Sequence, residues 1–419
     1  MKRVVKAIAA ALVALLAAIG PASAAFAQAD PAVPPPSLPP GIPTVVPPPD
    51  PNAPVDPNAP SAPPEPALAD PSPKVAVVMA QLHVFDAQKA LGVAQAALDA
   101  ARADEARTRT VRDAVNRDRD AKRQILTDVA INAYVNGLVN SETVDPTMEE
   151  YLPAESMRLL TGSAVDHDRA RLRDAEDRLR TANRVLSEAV TRSGQAQGAR
   201  DAAQSATDEA ALAVSDARRL TNAKDVSPTV MGEATLSAEE IIGWYNAQGI
   251  VGYAGRVDLL TMVGYYVDEG KAEQIRGDVA FAQSIVETGA FTSPLTTHNN
   301  FAGIGACDSC PTGFDFATPQ LGVRGQAQLL HAYADNTLRI TTLANPAVGS
   351  NPDRLSVRGC CTTWNKLTGT WATDPNYGPK LMTVYLSMLE FALLQRTQAA
   401  AIASTSPAPT SPLSAIPGP

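Results

Sequence analysis

Apolar positions change rhythm several times along the chain, and each rhythm predicts a different element. The first is an unbroken apolar run, Ala7 to Ile19, placed behind Lys2, Arg3 and Lys6 and closed by Gly20-Pro21. Small residues at Ala22, Ala24, Ala25 and Ala27 follow, so residues 1–27 read as a cleavable export signal. From Val77 the apolar positions recur in steps of three and four: Val77, Ala80, Val84, Ala87, Leu91, Ala94, Leu98 and Ala101. A second seam runs Leu172, Ala175, Leu179, Ala182, Leu186 and Ala189, and a third runs Ala203, Ala206, Ala210, Ala213, Ala217 and Leu220. Large residues alternating with alanine in a heptad let two helices approach closely, which predicts a coiled coil over residues 75–222. The pattern breaks near Asp145-Pro146 and Leu152-Pro153, with arms of similar length on either side. The expected topology is a long antiparallel helical hairpin with its tip at 135–160. About 60 residues per arm would span on the order of 90 Å.

Beyond residue 222 the rhythm changes again. Leu236-Ser237-Ala238-Glu239-Glu240 carries a capping box, Ser237 with Glu240, and a hydrophobic staple, Leu236 on Ile241. All three tryptophans and all four cysteines lie after this point, so residues 235–396 are expected to form the one sizeable core. The fold class that follows is mainly α.

Composition alters this picture in three places. Nineteen of the 43 residues from Pro31 to Pro73 are proline, so residues 28–74 are expected to be an extended linker rather than a packed element. The Ala-, Ser-, Thr- and Pro-rich stretch 397–419 reads as a disordered tail. The net charge of -9 and the lack of a basic face argue against a nucleic-acid partner. Cys307, Cys310, Cys360 and Cys361 in an exported chain point to disulfides, with three pairings open and a four-cysteine zinc site as the rival.

The hairpin tip carries Tyr134, Leu138, Met148, Tyr151, Leu152, Met157 and Leu159. These form either a small satellite core or a candidate docking site for a protein of the cell envelope.

Glu287 is the first candidate for chemistry. It falls in the last turn of a helix predicted over Asp278 to Thr288, with Gly289 as the stop signal. The negative end of the helix dipole and the nearby Phe291 and Phe301 both favour its protonated form. A carboxylic acid held neutral near pH 7 is what protonates a departing sugar oxygen.

Four ordered motifs widen the case: Ala282-Gln283-Ser284-Ile285-Val286-Glu287-Thr288-Gly289, His298-Asn299-Asn300-Phe301-Ala302-Gly303, Gly322-Val323-Arg324-Gly325-Gln326 running on to Tyr333, and Trp371-Ala372-Thr373-Asp374-Pro375-Asn376-Tyr377-Gly378. Together they resemble the glucosaminidase domain of bacterial autolysins, endo-β-N-acetylglucosaminidases that cut peptidoglycan. The resemblance covers about the last two-fifths of the chain. It implies an α-rich, lysozyme-like fold with a glycan groove between two lobes. It further implies Glu287 as general acid, Tyr377 beside it in the cleft, and Asn300 and Phe301 in the segment that shapes the groove floor. Trp371 would offer a flat apolar face to a pyranose ring, or else serve the core. The position of a second acid is met by Asp315 between two phenylalanines, with Asp308 as the alternative.

The expected activity is a secreted peptidoglycan hydrolase acting on the β-1,4 bond after N-acetylglucosamine, with peptidoglycan glycan strands as partner and no metal or other cofactor. The alternatives are a lytic transglycosylase using the same acid, and an inactive wall-binding scaffold working through the coiled coil.

Overall fold

The computed structural model describes residues 66–142, 154–220, 225–250, 256–305 and 313–405. The export signal, most of the proline-rich stretch, Cys307, Asp308, Cys310 and the end of the tail lie outside the described residues. So do residues 143–153 of the hairpin tip and the side chains of the tip residues named above.

Seven α-helices are present among the described residues: α1 (Ser72–Glu142), α2 (Ala154–Arg219), α3 (Ala238–Ala247), α4 (Leu259–Glu273), α5 (Gly277–Thr288), α6 (Pro319–Ala334) and α7 (Tyr377–Thr405). Short 3₁₀ helices such as Pro294–His298 and Trp364–Leu367 and isolated β-bridges, for example Thr229 with Thr363 and Met231 with Ile275, occur beside them. The chain divides into two compact units, one containing residues 87–207 and one containing the described residues up to Asp86 together with those from Asp208 onward.

In the first unit α1 and α2 pair as an antiparallel hairpin. Gln95 meets Arg200, Arg102 meets Gln197, Asp104 meets Arg192 and Asp118 meets Arg178, so numbers rise on one helix as they fall on the other. The predicted seams are the covered positions: Ala94, Leu98, Ala175 and Ala189 are buried, while their neighbours face water. These seams bury alanine methyls between charged flanks, because two helices alone have little else to cover. In α2 the third seam holds at Ala203, Ala206, Ala210 and Ala217, whereas Ala213 and Leu220 are exposed and Val214 takes the half-covered position between them.

The second unit is built around α5, where Val279, Phe281, Ala282 and Ile285 are buried. It packs against α4, α6 and α7. Glycine permits the close approach of α5 to α4: a Cβ on Gly277 would stand 2.2 Å from the Tyr266 carbonyl oxygen. The predicted capping box opens α3, with Ser237 Oγ accepting from Glu240 N and Glu240 Oε2 accepting from Ser237 N.

The N-terminal boundary of this unit differs from the expectation of residues 235–396 behind a linker ending at 74. Val75, Val78, Met79 and Leu82 at the start of α1 belong to the same buried cluster as Trp244, Tyr385 and Leu389. Arg396 in α7 ties that turn down, donating to Glu240 at 2.6 Å, Asp86 at 2.9 Å and the Leu82 carbonyl at 3.3 Å. The physical reason is a second apolar face on the first turns of α1, offset from the coiled-coil seam. The two stripes overlap in sequence, so a single heptad reading assigns them all to the coil.

Candidate active site

Glu287 sits in the last turn of α5, two residues before Gly289, which caps the helix in the left-handed conformation at φ 59°. The next two residues, Ala290 and Phe291, also have positive φ, 59° and 62°. Such a run costs about 1–2 kcal/mol per non-glycine residue and persists only where its surroundings hold it. Here Phe291 is fully buried, the Tyr245 hydroxyl donates to the Ala290 carbonyl at 2.7 Å, and Phe291 N donates to Thr288 Oγ1 at 2.8 Å. The turn therefore leaves the helix at a fixed angle directly after the acid.

Glu287 is half-buried, and both its described hydrogen bonds converge on one oxygen. The Tyr377 hydroxyl donates to Oε1 at 2.6 Å and the Trp371 indole Nε1 donates to Oε1 at 3.1 Å. Oε2 faces Gly303, where an added Cβ would stand 3.4 Å away. Burial pushes the carboxyl pKa up to about 7, against the two hydrogen bonds, which pull it down. Tyr377 is buried, and its hydroxyl is held well above its ordinary pKa by desolvation and by the carboxylate, so it remains a donor.

Behind Tyr377 lies a one-directional polar ladder. Gln283 Nε2 donates to the Tyr377 hydroxyl at 2.8 Å, and Gln326 Nε2 donates to Gln283 Oε1 at 2.8 Å. Gln326 Oε1 accepts from Ser284 Oγ at 3.0 Å and from the Tyr266 hydroxyl at 3.2 Å. Because Tyr377 must donate to a carboxylate, Gln283 must present its NH₂ to the phenol, which fixes the orientation of both amides. All these side chains are buried, so each bond stands in place of one that water would make.

The remaining predicted residues occupy different surroundings. Asn300 is fully buried and ties its own loop together: Nδ2 donates to the Ile304 and Phe314 carbonyls at 3.0 and 3.2 Å, and Oδ1 accepts from Ile304 N at 2.9 Å. Phe301 is buried and packs edge to face on Phe291, with centroids 5.7 Å apart. Neither side chain offers a free face to a ligand; both hold the loop that places Gly303. Trp371 is half-buried, with its indole on Glu287 and its ring 5.4 Å from Tyr333. The Asp315 side chain is 74% exposed and lies 3.8 Å from His298 Nδ1. No described contact joins it to Glu287, Tyr377 or Trp371. Cys360 and Cys361 are bonded to each other.

Gln283, Gln326, Tyr266, Tyr333 and Gly303 are site residues that the sequence reading passed over. Gln283 lies four residues before Glu287 and so shares its helix face. Gln326 is a polar residue at a core register between Val323, Ala327 and Leu330.

Residues 263–389, which hold Glu287, its ladder, Trp371 and Tyr377, match the Glucosaminidase family, described as mannosyl-glycoprotein endo-beta-N-acetylglucosaminidase. This stretch is a glucosaminidase-family domain. The match classifies it with the glycoside hydrolases of that family. An uncharacterized protein of Borreliella burgdorferi is 33% identical to the chain over 134 residues. The alignment covers 31% of this chain and 63% of that relative, less than two thirds of its length. The chain matches no solved structure. Glu287 and Tyr377 both fall inside the glucosaminidase domain, whereas the start of α1 that packs on it lies outside the matched residues.

Proposed function

We propose that the protein is an exported peptidoglycan hydrolase that cuts the β-1,4 bond after N-acetylglucosamine, with Glu287 as general acid. The observation that carries this reading is the asymmetric carboxyl: a pKa near 7, both donors on Oε1, and Oε2 turned to a glycine. A proton on Oε2 can pass to the departing glycosidic oxygen while Tyr377 and Trp371 stabilise the charge left on the carboxylate.

Exposed Asp315 makes no described contact with this constellation, which favours help from the substrate's own 2-acetamido group. Its carbonyl oxygen would bond to C1 as the C1–O bond breaks and Glu287 gives up its proton. Water deprotonated by Glu287 would then open the resulting oxazolinium ion, restoring the acid and leaving a reducing N-acetylglucosamine end. The half-buried face of Trp371 would bear on a sugar ring of the strand. The lysine- and arginine-headed apolar run at residues 1–27 supports export, and the hairpin would set the reach of the domain or recruit an envelope partner through its tip.

The test is digestion of peptidoglycan by the full mature chain and its Glu287→Gln variant, with borohydride reduction and mass spectrometry of the new ends. Reducing N-acetylglucosamine ends from the wild type alone are expected. Anhydro ends would move the activity to a lytic transglycosylase, and intact strands from both proteins would favour a wall-binding scaffold.

A further inference from the structure

The chain just before α1 reaches the loop that carries Tyr377, although some 300 residues separate them in sequence. Residues 66–70 are exposed, so no apolar burial of their own explains where they lie. Their attachment is polar and specific. Asn376, buried and immediately before Tyr377, pairs with this backbone like a strand neighbour: its Nδ2 donates to the Pro66 carbonyl at 3.1 Å and its Oδ1 accepts from Leu68 N at 3.0 Å. On the other side of Tyr377, Gly378 has no Cβ, and one built there would stand 2.7 Å from Asn365 Oδ1. Asn365 is in turn held by the same segment, its Nδ2 donating to Asp70 Oδ2 at 2.9 Å and to Ser72 Oγ at 3.1 Å. Asp70 itself caps the start of α1, accepting from Ser72 N and Ser72 Oγ.

We propose that Pro66–Ser72, gripping Asn376 and Asn365 on either side of Tyr377, is a positioning element of the catalytic site that sets how Tyr377 meets Glu287. The inference rests on the glycosidase reading for its effect on turnover, though not for its effect on Glu287 itself. A buried asparagine that loses both backbone partners leaves two polar groups unsatisfied, and the backbone at 376 shifts to find others. Tyr377 begins α7, so a shift there moves its hydroxyl away from the carboxyl. Loss of that bond removes one of the two interactions that lower the Glu287 pKa, so the carboxyl must titrate at higher pH.

The test uses the full mature chain with Asn376→Ala, Asn365→Ala, and replacement of residues 66–70 by a glycine–serine stretch of equal length, each alone and combined with Tyr377→Phe. Two readouts are taken: the alkaline limb of peptidoglycan turnover, and the titration of Glu287 followed by Trp371 fluorescence as the difference from Trp371→Phe. Melting temperatures show that each variant is folded. The expected result is a kcat lowered by on the order of tenfold with KM little changed, because a small misplacement at the reacting groups acts on the transition state. The alkaline limb and the fluorescence midpoint should both move up, and neither should move further in the Tyr377→Phe background. Folded variants whose fluorescence midpoint equals that of the wild type would overturn the proposal, as would shifts that add to that of Tyr377→Phe. Since the fluorescence titration needs no turnover, a wild-type chain that cleaves nothing would refute the glycosidase reading while leaving this one decided by the midpoint.

Discussion

Tyr377 and Glu287 stand 90 residues apart and share a hydrogen bond of 2.6 Å from the phenol to Oε1, the shorter of the two contacts on that oxygen. The bond favours the ionised carboxyl, whereas burial favours the protonated one, and burial prevails to give a pKa of about 7. The acid is thus poised where it can both release and recover a proton.

Replacing Tyr377 by Phe removes the donor and keeps the ring. The Glu287 pKa should rise, so the alkaline limb of the pH–rate profile moves to higher pH even as turnover falls by on the order of tenfold or more. Profiles of the two proteins on one substrate decide this; a limb that stays in place would show that the phenol does not act on the acid.

Glu287→Gln should lower hydrolysis by about 10²- to 10⁴-fold. Its effect on stability has a definite sign. The folded pKa lies above the ordinary value of 4.5, so the folded state binds the extra proton between the two, and wild-type stability falls as pH rises from about 4.5 to about 7. Melting temperatures should therefore favour Glu287→Gln increasingly from about pH 4.5 toward pH 7 and level off above it, with the smallest difference near pH 4.

Gly303→Ala introduces a side chain at φ +62° whose Cβ stands 3.4 Å from Glu287 Oε2. The backbone conformation alone should cost about 1–2 kcal/mol of folding stability. Because the methyl would lie in van der Waals contact with the oxygen proposed to carry the proton and take space a substrate oxygen needs, activity should fall further than the drop in melting temperature explains, which kinetics and calorimetry on the same preparation will show.

Asp315→Asn tests whether this carboxylate is the second acid. With the side chain 74% exposed and beside His298 rather than Glu287, activity should stay within about twofold of wild type. A hundredfold loss would make Asp315 the second acid and displace the acetamido group from the mechanism.

Much of this molecule is written in local patterns. The alanine seams at Leu172 to Ala189 mark the covered face of α2, because one heptad period suffices to place a helix face against one partner. Glu287 stood out as a candidate acid because helix end, glycine stop and flanking aromatics lie within a few residues of it, and the string around it resembles a family with an acid at that place. Leu236, Ser237, Glu240 and Ile241 announce α3 for the same reason: capping is settled within one turn.

What the sequence left undecided depends on residues that meet only after folding. Burial, which lifts the Glu287 pKa, is a property of the closed core rather than of the string Val286-Glu287-Thr288. The ladder from Tyr266 through Gln326 and Gln283 to Tyr377 draws on α4, α5, α6 and α7, and no single helix shows why its polar residue lies inside. Asn300 and Phe301 turn inward although their motif suggested the groove, because the loop needs its own hydrogen bonds and apolar anchor before it can present Gly303. The first turns of α1 carry two overlapping apolar stripes, and only the tertiary structure assigns Val75, Val78, Met79 and Leu82 to the second unit. Sequence determined which helices form and which carboxyl was a candidate acid; tertiary packing decided its protonation and its partners, because desolvation and hydrogen-bond direction are set by neighbours distant along the chain.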